Sequence, residues 1–145
     1  MAPELAAVKV VDALRTALVD LARYETEVPY DRLCSDRDAW RMVRQALQEA
    51  LQASIDLGQH LLARGGHPVP ESYRATFTAL RDHLGLPDDL ATPMADAAGL
   101  RNVLVHVYTE LDLRVIHPAY TTNREVLERW LRWVAAELAR VPGPP

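Results

Sequence analysis

The spacing of apolar residues constrains this chain more than any other feature of its sequence. Through four long stretches, apolar residues recur at intervals of three and four, the period of a helix with one buried face. Prolines and glycines separate these stretches, and no alternating pattern typical of a strand persists beyond a few residues. We therefore predict an all-α fold, an up-and-down bundle of four main helices plus one short helix.

Proline, glycine and capping residues predict where the helices begin and end. The predicted helices cover, approximately, residues 3–25, 35–64, 72–83, 88–108 and 122–138. Ser35 is predicted to cap the second helix, and the fourth begins at an acidic start at 88–89 or just after Pro93. His117-Pro118 is expected to break any helix between the last two. Residues 1–141 are predicted to form one domain and residues 142–145 a flexible Pro-rich tail.

Composition excludes several classes of protein. The net charge of -4 argues against a broad basic surface for nucleic acid, so any RNA contact must be local. Cys34 is the only cysteine, which rules out an internal disulfide and suits a reducing compartment. No apolar run approaches the roughly 20 residues of a membrane span and the N-terminus lacks a signal-peptide pattern, so we expect a cytoplasmic protein.

Residues 99–108 (GLRNVLVHVY) combine four polar side chains within one apolar run: Arg101, Asn102, His106 and Tyr108. On a continuous helix, Asn102 and His106 would be i, i+4 neighbours on one face. Arg101 and His106 are about 140° apart around an ideal helix, but the long arginine side chain can still reach the imidazole. The segment therefore permits a cluster of a cation, a titratable imidazole, an amide and a phenol, without requiring it.

These residue types suit the cleavage of RNA without a metal. That reaction needs a base for the ribose 2′-OH, a cation for the phosphorane charge and an acid for the leaving oxygen. Histidine exchanges protons near neutral pH, so His106 can serve as base or acid. Arg101 keeps its charge and can bind two phosphate oxygens at once. Asn102 could hold the imidazole or a phosphate, and Tyr108 could stack on a base or donate to a phosphate.

The same residues resemble the signature of the HepT-like toxins of the HEPN superfamily. In that signature Arg-Asn precedes His-x-Tyr, with four residues between the arginine and the histidine. Three further segments resemble the family in the same order: the long second helix at 46–62, a P-x-S-Y-R segment at 70–74 and the run after the motif at 108–112. The chain departs from the family at Leu100, where an aromatic residue is common, and at His117-Pro118, in a region that is usually helical.

The resemblance implies a function and a site. It implies that Arg101 and His106 are the catalytic residues of a metal-independent endoribonuclease that needs no cofactor and cleaves tRNA or mRNA by transesterification. The expected products are a 2′,3′-cyclic phosphate and a 5′-hydroxyl. It also implies a homodimer with two motif helices along a shared cleft. Finally, it implies the toxin of a type VII toxin–antitoxin system, silenced when an MntA-like minimal nucleotidyltransferase adds AMP at Tyr108.

Two interpretations stay open for each of two further groups of polar residues. Arg37, Arg41 and Arg44 form an i, i+4, i+7 stripe that either receives RNA phosphates or is a solvated face paired with acids. Asp56 and His60 are i, i+4 neighbours on the second helix. They either orient His106 or form a buried polar pair that serves packing or the dimer.

A rival function comes from a different class of protein. The same bundle could be a non-catalytic module that binds a nucleotidyltransferase partner or RNA through the motif helix, because a fold does not settle a function. The intact Arg-Asn-x3-His-x-Tyr set favours the enzyme, since an interface does not need a titratable group beside a cation. His67, His83 and His117 lack metal-ligand spacing and glycine-rich phosphate loops are absent, so we expect neither a metalloenzyme nor a nucleotide hydrolase.

Overall fold

The computed structural model describes residues 2–106 and 111–140, with side chains from residue 5 onward, and folds them into seven helices. In chain order the helices are α1 (Ala2–Glu27), α2 (Tyr30–Ser35), α3 (Arg37–Arg64), α4 (Tyr73–Leu84), α5 (Asp88–Val105), α6 (Leu113–Tyr120) and α7 (Arg124–Ala139). The described residues contain no strand, and the all-α prediction is confirmed. The helices α1, α3, α5 and α7 are the four main ones and α4 is the predicted short one, whereas α2 and α6 are further short helices that were not predicted. The predicted tail lies outside the described residues.

Helix α3 lies at the centre of the bundle, where it contacts α1, α2, α4, α5 and α7. Its inward side is fully buried at residues such as Leu47 and Leu62. Gly58 allows α4 to approach closely, because a Cβ atom at this position would lie 3.0 Å from Thr76 Cγ2 and 3.1 Å from Leu80 Cδ1. The close packing brings the start of α4 next to both α3 and α5, which also contact each other.

Asp36 begins α3, and the prediction of Ser35 in this role was wrong. The Asp36 carboxylate accepts hydrogen bonds from the Ala39 N–H at 3.2 Å and from Arg32 Nε at 3.1 Å. The Ala39 N–H, followed by the Arg32 guanidinium, holds the pKa of Asp36 below its usual value. Ser35 is instead the last residue of α2, and its hydroxyl donates within that helix. Helix α2 therefore ends directly at the first turn of α3.

Helix α6 forms in spite of His117-Pro118, so the predicted break was wrong. Proline removes a helical hydrogen bond, but tertiary contacts hold this helix against the bundle through the buried Ile116 and Tyr120. The Tyr120 hydroxyl donates to the carbonyl oxygen of Val28 at 2.6 Å. Burial raises the pKa of Tyr120 to about 12.

Most other helix ends agree with the predictions. Helix α1 ends before Pro29, Ser72 caps α4, and Gly85 ends α4 with a φ of 75°. Helix α5 has the acidic start at 88–89, and Pro93 lies inside it. Among the described helices, none has both the length and the apolar character needed to cross a membrane.

Candidate active site

Helix α5 ends at Val105, so the motif does not form the continuous helix that the sequence predicted. His106 follows with φ -85° and ψ 93°, an extended conformation, and its N–H donates to the carbonyl oxygen of Val103 at 3.3 Å. Its side chain is exposed. Asn102 remains on the last turns of α5, and it does not share a helix face with His106 because the imidazole lies beyond the end of the helix.

Arg44 binds the end of α5 from the neighbouring helix. Its Nε donates to the carbonyl oxygen of Leu104 at 3.0 Å. This carbonyl is one of the last four of α5, which have no partner within the helix. A cation here also interacts favourably with the negative end of the helix dipole. The packing of α3 against α5 thus fixes the backbone two residues before His106.

His106 lines a cavity of about 360 Å³ between α2, the first turns of α3 and the segment that leads into α6. Arg37, Trp40 and Arg44 line the same cavity. The remaining lining residues are Leu33, Cys34, Ser35, Asp36, Leu111 and Leu113. This space, called the His106 cavity below, brings a titratable imidazole, two cations and an aromatic ring together.

Arg101, on α5, is held by a different part of α3 from the part that carries Arg44. Its Nε donates to Gln52 Oε1 at 2.7 Å, and its guanidinium lies over the Tyr73 ring, 5.4 Å from the ring centroid. Gln52 comes after Arg44 on α3 and lies about 12 Å further along the helix axis. Arg101 does not line the His106 cavity. Within the described part of one chain, the two predicted catalytic residues are therefore not in one cluster.

Gln52 connects Arg101 to a carboxylate. Its amide nitrogen donates to Asp56 Oδ1 at 2.8 Å, while its oxygen accepts from Arg101. Arg101 also donates from Nη1 to Asn102 Oδ1 at 3.4 Å. Asp56 is thus linked to Arg101 and not to His106 by these contacts, which is a different role from orienting the imidazole. The half-buried His60 lies one turn further along α3.

The structure divides the predicted arginine stripe between two surfaces. Arg37 and Arg44 line the His106 cavity. Arg41 lines a separate groove with Asp20, and its Nη1 lies 4.0 Å from Asp38 Oδ1. The phosphate-binding interpretation therefore suits the first two arginines, and the solvated, acid-paired interpretation suits Arg41.

Three residues of the site were not predicted in these roles. Gln52 and Tyr73 hold Arg101, and Trp40 lines the cavity, but none of the three was proposed from the sequence as a site residue. Their roles depend on contacts between distant helices, for which the sequence carries no local signal. Tyr108 belongs to residues 107–110, outside the described part of the chain. The described residues contain no group of three or more histidine, cysteine, aspartate or glutamate side chains able to hold a metal.

The bundle has the fold of the HEPN toxins. It matches the tri-AMPylated HEPN toxin of Shewanella oneidensis, in complex with its MNT antitoxin, with a TM-score of 0.80 and 22% identity over 90% of this chain and 96% of that one. A crystal structure of a toxin–antitoxin with AMP-PNP gives a TM-score of 0.80 and 21% identity, over 90% of this chain and 97% of that one. At such identities the likeness establishes the fold.

The sequence match identifies the family. The profile of the family described as Ribonuclease HepT-like matches residues 14–134, and the chain belongs to this HepT-like family. The mRNA nuclease HepT of Shewanella oneidensis is 30% identical over 91 residues, 63% of this chain and 68% of the relative. The tRNA nuclease HepT of Aphanizomenon flos-aquae is 29% identical over 92 residues, 63% of this chain and 62% of the relative. The resemblance drawn from residues 99–108 is thereby confirmed.

Proposed function

We propose that this chain is a metal-independent endoribonuclease and the toxin of a HepT/MntA-like toxin–antitoxin system. The observation that carries the proposal is the exposed imidazole of His106 in a cavity lined by Arg37 and Arg44. These groups supply a proton carrier, which can act as base or acid, and positive charge, both of which phosphodiester transesterification requires. The names of two relatives, an mRNA nuclease and a tRNA nuclease, support RNA as the substrate class.

In the proposed reaction, His106 takes the proton of a ribose 2′-OH. The 2′-oxygen then forms a bond to phosphorus while the bond from phosphorus to the 5′-oxygen breaks, and the leaving oxygen takes up a proton. The products are a 2′,3′-cyclic phosphate and a 5′-hydroxyl. Arg101, held by Gln52 and Tyr73, is the proposed cation for the phosphorane charge, and Asn102 beside it is a proposed phosphate or imidazole ligand.

A homodimer completes the proposed site. The motif contains a single histidine, so the base and the acid would come from two chains around a two-fold axis. An apolar groove of about 400 Å³ between α3, α5, α6 and α7 supports the proposal, since Leu100 of the motif helix and the exposed Val115 both line it. Sedimentation equilibrium tests this point, and a monomer mass at every concentration would contradict it.

The proposed antitoxin is an MntA-like nucleotidyltransferase, and the proposed modification site is Tyr108. Solved complexes of HEPN-fold toxins with such an antitoxin, one of them tri-AMPylated, support the pairing. Incubation with the cognate nucleotidyltransferase and ATP should add adenylyl groups to the wild-type chain and none to Tyr108→Phe. The adduct should also abolish cleavage. Labelling of Tyr108→Phe to the wild-type extent would place the modification elsewhere.

Cleavage in EDTA is the primary test of the enzymatic function. Purified wild type, Arg101→Ala and His106→Ala are incubated with total cellular RNA and with tRNA, and the products are sequenced at their ends. Wild type should cleave, and His106→Ala should lose at least about 100-fold, the contribution expected of a general acid or base. His83→Ala is the matched control, because His83 lies on α4 beside His67 and outside the cavity.

Two results would contradict the proposal, the first its mechanism and the second its enzymatic function. If EDTA abolishes cleavage and a divalent ion restores it, the metal-independent mechanism is wrong. If folded wild type, Arg101→Ala and His106→Ala all leave RNA intact but bind the nucleotidyltransferase or RNA alike, the chain is the non-catalytic module.

A further inference from the structure

The His106 cavity has two chemically different parts. Its apolar part consists of the half-buried indole of Trp40 and the side chains of Leu33, Leu111 and Leu113. Its cationic part consists of Arg37 and Arg44. A volume of about 360 Å³ lies in the range of small-molecule sites. An aromatic wall beside two guanidinium groups is the combination that binds a nucleobase together with its phosphate.

The two arginines are free to bind an anion. In the described part of the chain, Arg37 makes no ion pair and no side-chain hydrogen bond, and it is exposed on the first turn of α3. Arg44 uses its Nε for Leu104, and neither of its terminal nitrogens has a hydrogen-bond partner among the described residues. A phosphate in the cavity therefore has no internal acid to displace from either guanidinium group.

The acidic residue of the cavity does not cancel this charge. Asp36 lines the wall, but its carboxylate accepts from Arg32 at 3.1 Å and from the backbone N–H groups of Asp38 and Ala39 at 3.0 and 3.2 Å. Its charge is thus compensated by Arg32 and by the first turn of α3. The remaining charge facing the cavity from Arg37 and Arg44 is positive.

From this arrangement we infer that the His106 cavity is the subsite for the RNA nucleotide next to the cleaved bond. Its base would pack against Trp40, and its phosphate would bind Arg37 and Arg44. The inference rests on the proposed function, and it assigns binding roles to residues outside the motif. Because His106 lines the same cavity, a nucleotide seated there places its ribose and the adjoining phosphate near the imidazole.

Binding of an uncleavable oligonucleotide tests the subsite without requiring catalysis. The probe is a fluorescent 2′-fluoro oligoribonucleotide, which lacks the 2′-OH nucleophile, and its Kd is measured by anisotropy at several salt concentrations. Arg37→Gln should weaken binding about tenfold at low salt and lower the slope of log Kd against log salt by about 0.7, as loss of one phosphate contact does. Arg41→Gln is the matched control, one turn away on the same helix but facing another groove.

Trp40 tests the base-binding part. Trp40→Leu should weaken binding about tenfold, the scale of one lost base–aromatic contact, and Trp40→Phe should restore most of the affinity because it retains an aromatic face. Thermal melting confirms that each variant is folded. Arg37 is exposed, so Arg37→Gln tests the subsite even if Trp40→Leu unfolds the chain.

The outcomes separate this inference from the proposed function. Selective loss of binding in Arg37→Gln and Trp40→Leu supports the subsite, whether or not the wild type cleaves RNA. Equal affinities for Arg37→Gln and Arg41→Gln would overturn the subsite even if His106→Ala abolishes cleavage. A free nucleoside monophosphate that binds as tightly as the oligonucleotide would also overturn it, because the site would then recognise a small molecule and not a strand.

Discussion

Arg44 and Leu104 are 60 residues apart in sequence, yet Arg44 Nε donates to the Leu104 carbonyl oxygen at 3.0 Å. This contact ties the N-terminal third of α3 to the end of α5, two residues before His106. It therefore couples the stability of the bundle to the position of the candidate catalytic imidazole.

Replacing Arg44 should affect both stability and cleavage. Arg44→Met keeps an apolar stem but leaves the Leu104 carbonyl unpaired, and we expect unfolding to become easier by about 1–3 kcal/mol. Urea denaturation measures this loss, and the same variant should cleave more slowly because the backbone before His106 is released. Arg41→Met is the control, since Arg41 lines a different groove and pairs with Asp38. A fully stable Arg44→Met would show that water replaces the guanidinium without cost.

Gln52 should act as a positioning residue for Arg101. Gln52→Leu removes the oxygen that accepts from Arg101 Nε at 2.7 Å, so the guanidinium is free to turn away from its present site. We expect kcat to fall about tenfold with little change in KM, because the lost interaction would orient a group that acts in the transition state. Gln52→Glu combined with Asp56→Asn keeps an acceptor for Arg101 and a donor–acceptor pair between residues 52 and 56, so it should recover most of the rate. Equal losses in both variants would show that Gln52 does not act through Arg101.

Two helical glycines should respond to alanine in opposite directions. At Gly58 a Cβ would lie 3.0 Å from Thr76 Cγ2 in the packed α3–α4 contact, so Gly58→Ala should destabilise the fold by about 1–3 kcal/mol. At Gly99 the nearest atom is Nη1 of the exposed Arg74 at 3.3 Å, a side chain that can move. Gly99→Ala should stabilise α5 by about 0.5–1 kcal/mol. Chemical denaturation of both variants tests the contrast, which fails if they shift the midpoint in the same direction.

Tyr120 should make the fold sensitive to alkaline pH. Its pKa is raised to about 12 in the folded chain, so its contribution to stability is fully present below the unfolded value of 10.0 and is lost as pH rises through about 12. Tyr120→Phe removes the donor to the Val28 carbonyl and should cost about 1–3 kcal/mol at neutral pH. Thermal melts of both proteins between pH 8 and 12 should converge at the alkaline end. A constant difference across that range would contradict the assignment.

The sequence predicted the elements of this fold better than their ends near the site. Apolar spacing and glycine or proline boundaries indicated α1, α3, α4, α5 and α7, because helical periodicity is a property of neighbouring residues. Helix α6 was missed because the cost of Pro118 is local, whereas burial of Ile116 and Tyr120 against the bundle is not. The cap of α3 was misplaced by one residue, since Ser35 and Asp36 are both good caps and α2 decides between them.

The candidate site shows the same division. The sequence by itself determined the all-helical class and the family, because helical spacing and the motif are properties of residues that are close together in the chain. It also proposed Arg101, Asn102 and His106 as site residues, which stays a prediction. Only the tertiary structure decided that α5 stops before His106 and that Arg37, Trp40 and Arg44 line the same cavity as His106. It also decided that Gln52 and Tyr73 hold Arg101. The physical reason is that helix–helix packing selects which distant side chains meet, and α3, which carries Trp40, Arg44 and Gln52, contacts the motif helix along two separate turns.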